Sequence, residues 1–157
     1  MGGATAALAA LLDSRVIGGL DLDGSIYGSV KESGLNKPFV LVGRPVPVDL
    51  PIGELFDGLY DRLRREKMLV IVNDTQHLSF CDAPFLVTLR ADIPDEYKPV
   101  VEAVLGSVDG QELAGTLDEL LVSTAQLVFG GDAKGLCDIA TTNKGLLVLD
   151  KELTCAI

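Results

Sequence analysis

The stretch "VNDTQHLSFCD", residues 72–82, contains His77, the single histidine of a 157-residue chain. An imidazole can take up and return a proton near neutral pH, and a carboxylate bonded to it fixes its tautomer and stabilises its charged form. Asp23, at the end of the apolar stretch "VIGGLDLD" (16–23), is the carboxylate placed to do this. His77 itself follows the end of another apolar stretch, "KMLVIV" (67–72). In an open parallel sheet, ligands bind at the carboxyl ends of the strands, so two strand ends can bring these side chains together. The chemistry would be the acid–base half of a nucleophilic triad.

Other polar residues nearby have plainer roles. Ser79 has neither a sharp turn nor oxyanion donors in "LSFCD" and is read as a structural hydroxyl. Asp82 is read as the cap of a helix over "APFLVTLR", and Asp21 as a local packing or capping group. Asp23 has a competing role as a turn residue in "DGS", and a lone histidine is often structural. The stretch "LDLDGS" also resembles the first motif of haloacid dehalogenase-type phosphatases. There Asp21 and Asp23 would act as nucleophile and acid/base around Mg²⁺, with Asp132 and Asp138 as further carboxylates. That reading leaves "MGGATAAL" and "TQHLSFCD" unexplained.

The elements that must position these residues alternate between helix and strand. Residues 3–13 read as an Ala- and Leu-rich helix, and 16–23, 38–43 ("PFVLVG") and 67–72 as buried strands. Between the last two, "GELFDGLYDRLRRE" (53–66) spaces Leu55, Phe56, Leu59, Tyr60 and Leu63 as one face of an amphipathic helix. Helices are expected over 95–105 and 111–129, then an irregular tail over 130–157 with a short strand at "GLLVLD". The fold class is α/β, with about three parallel strands flanked by helices. The expected organisation is a domain over 1–129 with the 130–157 tail packed on it. Three strands make a thin sheet, and the opening helix is abrupt; both suggest that more sheet precedes residue 1 in a longer protein.

Composition narrows the partners. Thirteen Lys and Arg against 23 Asp and Glu give a formal charge of −10, which repels a phosphate backbone, so no nucleic acid partner is expected. No apolar run reaches the ~20 residues of a transmembrane segment, and the N-terminus lacks the basic region of a signal peptide. Cys81, Cys137 and Cys155 show no zinc-type spacing; Cys137 and Cys155 could pair, or all three thiols could be idle. No metal or cofactor is expected.

Four stretches carry a resemblance: "GGATAAL", "SRVIGGLDLDGSIYG", "KPFVLVGRP" and "TQHLSFCDAPFL". Their order, and the spacings of 22 residues from Met1 to Asp23 and 54 from Asp23 to His77, are similar to those of platelet-activating factor acetylhydrolase-like esterases, notably the fungal members. The resemblance implies a partial α/β-hydrolase fold without the N-terminal half of its sheet. It implies Asp23 as triad acid, His77 as triad base and Met1 as a backbone donor to the oxyanion hole. In the elbow G-x-S-x-G the serine would precede Met1, so the chain alone is expected to be inactive. The implied substrate is a small-molecule or lipid ester with a short acyl group, such as an acetyl glycerophospholipid. The alternative is a non-catalytic hydrolase remnant acting as a binding module. An uncovered sheet edge would favour self-association.

Overall fold

The computed structural model describes residues 2–45, 56–90, 93–142 and 145–155. Two runs of almost purely apolar residues organise it. Strands β2 (Phe39–Gly43) and β3 (Lys67–Val72) are buried at every position, so both of their faces must be covered. They pair in parallel, with Phe39 opposite Lys67 and Val42 opposite Val70. Strand β1 (Gly19–Leu22) pairs in parallel with β2, and β4 (Leu146–Glu152) runs antiparallel to β3. The sheet order is β1-β2-β3-β4.

Alternation along the strands divides the core in two. Phe39, Leu41 and Leu69 point to one side and meet Ala7 and Ala10 of helix α1 (Gly2–Leu12), Val30 of α2 (Val30–Ser33), and Leu59, Tyr60 and Leu63. Val40, Val42, Met68 and Val70 point to the other side. They meet Leu113 and Leu120 of α5 (Gly110–Ala125) and Leu136 and Ile139 of α6 (Lys134–Thr142). Each such buried leucine contributes about 1.5–3 kcal/mol. Asp109 starts α5 by accepting bonds from the amides of Gln111 and Glu112 at 2.9 and 3.0 Å. Helix α3 (Ala83–Thr88) packs on α5, and α4 (Lys98–Leu105) on the short turn that carries His77.

The structure departs from the sequence expectations in four places. Residues 56–66 form no α-helix: Phe56, Asp57 and Gly58 have φ of 51°, 57° and 73°, and only a 3₁₀ turn, Tyr60–Arg62, follows. The expected residues 53–55 of that helix, with Leu55, lie outside the described residues. Strand β1 is half-buried rather than buried, because it is an edge of the sheet. The first residues of the helix expected over 95–105, Asp95–Tyr97, likewise form a 3₁₀ turn, and α4 begins at Lys98. The segment after residue 130 is not irregular: it forms α6 and β4, held by Leu136 and Ile139 in the core. Cys137 in α6 and Cys155 beyond β4 form a disulfide, with Cα atoms 5.9 Å apart. Among the described residues no helix is long and apolar enough to cross a membrane.

Closing a loop with a sequence separation of 18 restricts the unfolded chain, an effect worth about 3 kcal/mol. Cys155→Ser should therefore lower the free energy of urea unfolding by about 2–4 kcal/mol. In the native oxidised protein a thiol reagent should modify Cys81 alone, since Cys81 is free and exposed. An unchanged unfolding midpoint in Cys155→Ser would count against the disulfide as a staple.

Candidate active site

The ladder of β1 continues one residue past the strand, where the Asp23 N–H donates to Val42 O at 2.7 Å. The backbone then turns sharply, with Asp23 at φ 48°, a left-handed conformation that aspartate tolerates better than most residues. The Asp23 side chain is only 13% exposed. Its Oδ2 accepts from Arg44 Nε at 3.0 Å and its Oδ1 from the Arg44 amide at 3.3 Å. The same Oδ2 lies 2.8 Å from His77 Nδ1. An ionised carboxylate only accepts, so the proton of this bond sits on Nδ1, and Nε2 of a neutral ring is left free to take a proton. The His77 side chain is 65% exposed, so this face is reachable from outside.

A short 3₁₀ turn, His77–Phe80, carries the imidazole, and it is pinned from both sides. Thr75 Oγ1 donates to Val72 O at 2.7 Å, tying the loop to the end of β3. Ser79, fully buried, accepts from the Gln76 amide at 2.7 Å and donates to Leu105 O at 2.6 Å. Its hydroxyl is thus occupied in both directions, as a structural group is. Behind the loop, Gly106 at φ 75° lies so close to Asp74 that a Cβ would fall 2.1 Å from the Asp74 carbonyl oxygen. Asp82 stands at the N-cap of α3 but makes no capping bond there, since its backbone is helical rather than extended.

Asp21, two residues before Asp23 on the same strand, has a different environment. It is 1% exposed; Oδ1 accepts from the Gly24 amide at 3.0 Å, and Oδ2 has no partner. Helix α1 lies directly on it: a Cβ on Gly3 would fall 1.9 Å from Asp21 Oδ1. Burial pushes the Asp21 carboxyl up from 3.8 to about 6; the Gly24 N–H opposes this shift, and the charge of Asp23 adds to it. So enclosed a carboxyl is poorly placed as a phosphatase nucleophile. Asp132 accepts from the Lys134 amide and Asp138 pairs with Lys134 at the start of α6, and among the described residues no three metal-ligating side chains cluster. The structure therefore brings together Asp23 and His77, not Asp21, Asp132 and Asp138.

A cleft of about 510 Å³ opens beside the pair, lined by Gly2, Gly3, Leu22, His77, Phe80 and Leu121 among others. It thus joins the first turn of α1 to the imidazole. Met1, expected to lend a backbone donor there, lies outside the described residues. Arg44 escaped the sequence reading. Its signal was a cation just past β2, level with Asp23 once the parallel register Leu22 to Val42 is known.

No family model matches the chain, and no curated protein matches it. Among solved structures it is similar to a ferulic acid esterase from Streptomyces cinnamoneus, with a TM-score of 0.76 and 25% identity over 95% of the chain. The chain spans 44% of that protein's length. The four-stranded open sheet with helices on its faces matches part of an α/β-hydrolase fold. The likeness is to an esterase of that fold and singles out no type of esterase.

Asp21 provides a test of the buried floor of this cleft. Its folded value lies above 3.8, so the stability it contributes is fully present below about pH 4 and is lost as pH rises through about 6. Asparagine at 21 does not titrate. The unfolding free energy of the parent minus that of Asp21→Asn should fall by about 2–3 kcal/mol between pH 4 and pH 7. Paired urea titrations at the two pH values measure this; a constant difference would mean that the carboxyl is not desolvated.

Proposed function

We propose that this chain is the C-terminal part of a serine carboxylic-ester hydrolase, with His77 as general base and Asp23 as the acid that orients it. The observation that carries the reading is the 2.8 Å contact of Asp23 Oδ2 with His77 Nδ1, beside a cleft that also takes in the first turn of α1. The similarity to an esterase, of whose length the chain spans 44%, supports it. So does the outer edge of β1, which has no partner strand among the described residues and offers a place for further sheet. A pure binding role would leave the Asp23–His77 pair without a use.

In this reading the nucleophilic serine precedes Met1. His77 Nε2 takes the serine proton as the oxygen attacks the ester carbonyl, and Asp23 stabilises the imidazolium that forms. By the family resemblance, the backbone N–H of Met1 helps hold the oxyanion. His77 then gives its proton to the departing alcohol, and water releases the acyl group by the same steps in reverse roles. Arg44 acts through Asp23, holding the carboxylate in place with two bonds. The substrate is a short acyl ester of the kind taken by platelet-activating factor acetylhydrolase-like enzymes, an acetyl glycerophospholipid among them.

The test is an in-frame fusion to an upstream half ending in Gly-His-Ser, assayed on short-chain 4-nitrophenyl esters. His77→Ala and Asp23→Asn should each lower kcat by roughly 10³-fold or more, and a chelator should have no effect. The chain alone should hydrolyse the ester no faster than its own His77→Ala variant. A folded fusion in which His77→Ala keeps the full rate would end this reading.

The free edge of β1 makes a second expectation. The chain alone should self-associate through that edge, and the fusion should not. Sedimentation velocity on both distinguishes the cases; a monomeric chain across the micromolar range contradicts an available edge.

A further inference from the structure

Left-handed backbone is rare outside glycine, and in this chain it gathers around the Asp23–His77 pair. Among the described residues, the non-glycine positions with positive φ are Asp23, Phe56, Asp57 and Asp74, at 48°, 51°, 57° and 59°. Asp74 lies three residues before His77. Aspartate tolerates this region, but for a bulky phenylalanine it is an outlier. Such backbone persists where the surroundings over-determine it. Here Gly58, at φ 73°, extends the left-handed run. The Leu59 amide donates to Phe56 O at 3.1 Å and Arg62 Nη1 to Gly58 O at 2.7 Å, while Leu59 and Tyr60 are buried in the core.

The strained segment touches both supports of Asp23. On one side is the turn that follows it. Asp57 Oδ2 accepts from the Ile26 amide at 3.4 Å and Oδ1 from Lys31 Nζ at 2.8 Å, so one carboxylate spans that turn and the start of α2. The first bond is long and the second is half-exposed, so neither contributes much to stability; their effect is on position. On the other side is the end of β2. The Phe56 ring packs against Gly43, where a Cβ would fall 3.0 Å from the ring carbon Cζ. Gly43 precedes Arg44, whose amide and Nε both bond Asp23.

We propose that Phe56 and Asp57 are positioning residues for Asp23: Asp57 holds the turn after it, the Phe56 ring holds the strand end that carries Arg44, and together they keep Asp23 Oδ2 on His77 Nδ1. The proposal deepens the hydrolase reading and rests on it for the role of Asp23 as the acid. Asp23 is itself in left-handed backbone, so without the two supports the turn relaxes toward a commoner conformation and carries the carboxylate off the ring. A displacement of about 1 Å at such a group can cost roughly 10²-fold in rate. Strain at residues 56 and 57 is thus exchanged for the placement of one carboxylate.

The single histidine lets that placement be read in the chain itself, from the tautomer of the neutral ring in ¹⁵N spectra. Asp23 holds the proton on Nδ1, whereas a free histidine favours the proton on Nε2. Asp57→Gly removes both bonds and suits the backbone at φ 57°. It should shift the ring toward the Nε2–H form, while the urea midpoint moves little because relief of strain offsets two weak bonds. In the fusion to the upstream half, the same substitution should lower kcat about tenfold with KM unchanged. Asp57→Asn keeps an acceptor for the Ile26 amide and tolerates left-handed backbone, so it should retain most of the parent tautomer and rate. Gly43→Ala, which presses a Cβ on the Phe56 ring, should give the same tautomer shift from the other side, and it decides the matter if Asp57→Gly does not fold. The parent tautomer ratio in both Asp57→Gly and Gly43→Ala overturns the proposal. So does a loss in Asp57→Asn equal to that in Asp57→Gly, which would put the effect in the charge of Asp57. A tautomer shift in the chain beside an inactive parent fusion would end the hydrolase reading and leave the positioning role; an active fusion indifferent to both substitutions would do the reverse.

Discussion

Every residue of β2 and β3 is withdrawn from water, and that constraint governs the rest of the structure. A strand buried on both faces needs a layer on each side, and parallel neighbours need connections long enough to cross over. The crossovers supply residues such as Val30, Leu59, Tyr60 and Leu63 to one face, and α1, α5 and α6, which lie outside the crossovers, supply the rest. Small residues of α1 allow close approach on one face, while the leucines of α5 and α6 fill the other. Because β1, β2 and β3 are parallel, their carboxyl ends emerge on one side, and residues 54 apart in sequence meet there.

Asp21 and Asp23 show how little sequence distance is needed for opposite roles. Asp23 turns out of the strand, takes bonds from Arg44 and touches the imidazole. Asp21 stays in the strand beneath Gly3, with one amide bond and an unpartnered oxygen, and its carboxyl is pushed up to about 6. Partners favour the charged form of a carboxyl, and burial disfavours it. The left-handed turn at Asp23 is what separates the two environments.

The legible parts of the sequence were those with strong local signals. Uninterrupted apolar runs marked β2 and β3, and strand ends marked Asp23 and His77 as neighbours. Leu59, Tyr60 and Leu63, expected as the apolar face of a helix, are buried, although the helix around them does not form. Apolar spacing reports which side chains are buried; it does not report positive φ at Phe56 and Asp57, which the surrounding packing imposes. The tail hid its helix because Gly135 and two threonines weaken the local preference, and tertiary burial of Leu136 and Ile139 overrides it. Arg44 and the Cys137–Cys155 pairing depend on strand register and on the meeting of distant segments, which no local pattern encodes.

The same geometry sets what the pair at the sheet edge can do. Asp23 is largely shielded, with its carboxylate fixed by Arg44, whereas the His77 ring remains mostly open to water. Orientation is therefore built into this chain, through the bond at Nδ1 and through the loop held by Thr75 and Ser79. Shielding is not, and an exposed ion pair in a medium of high dielectric is weak. A group seated in the cleft against Leu22, Phe80 and Leu121 would displace water from the ring. The same 2.8 Å bond would then act in a less polar medium, where it stabilises an imidazolium more strongly. Occupying the cleft and strengthening the Asp23–His77 pair are in that sense one event.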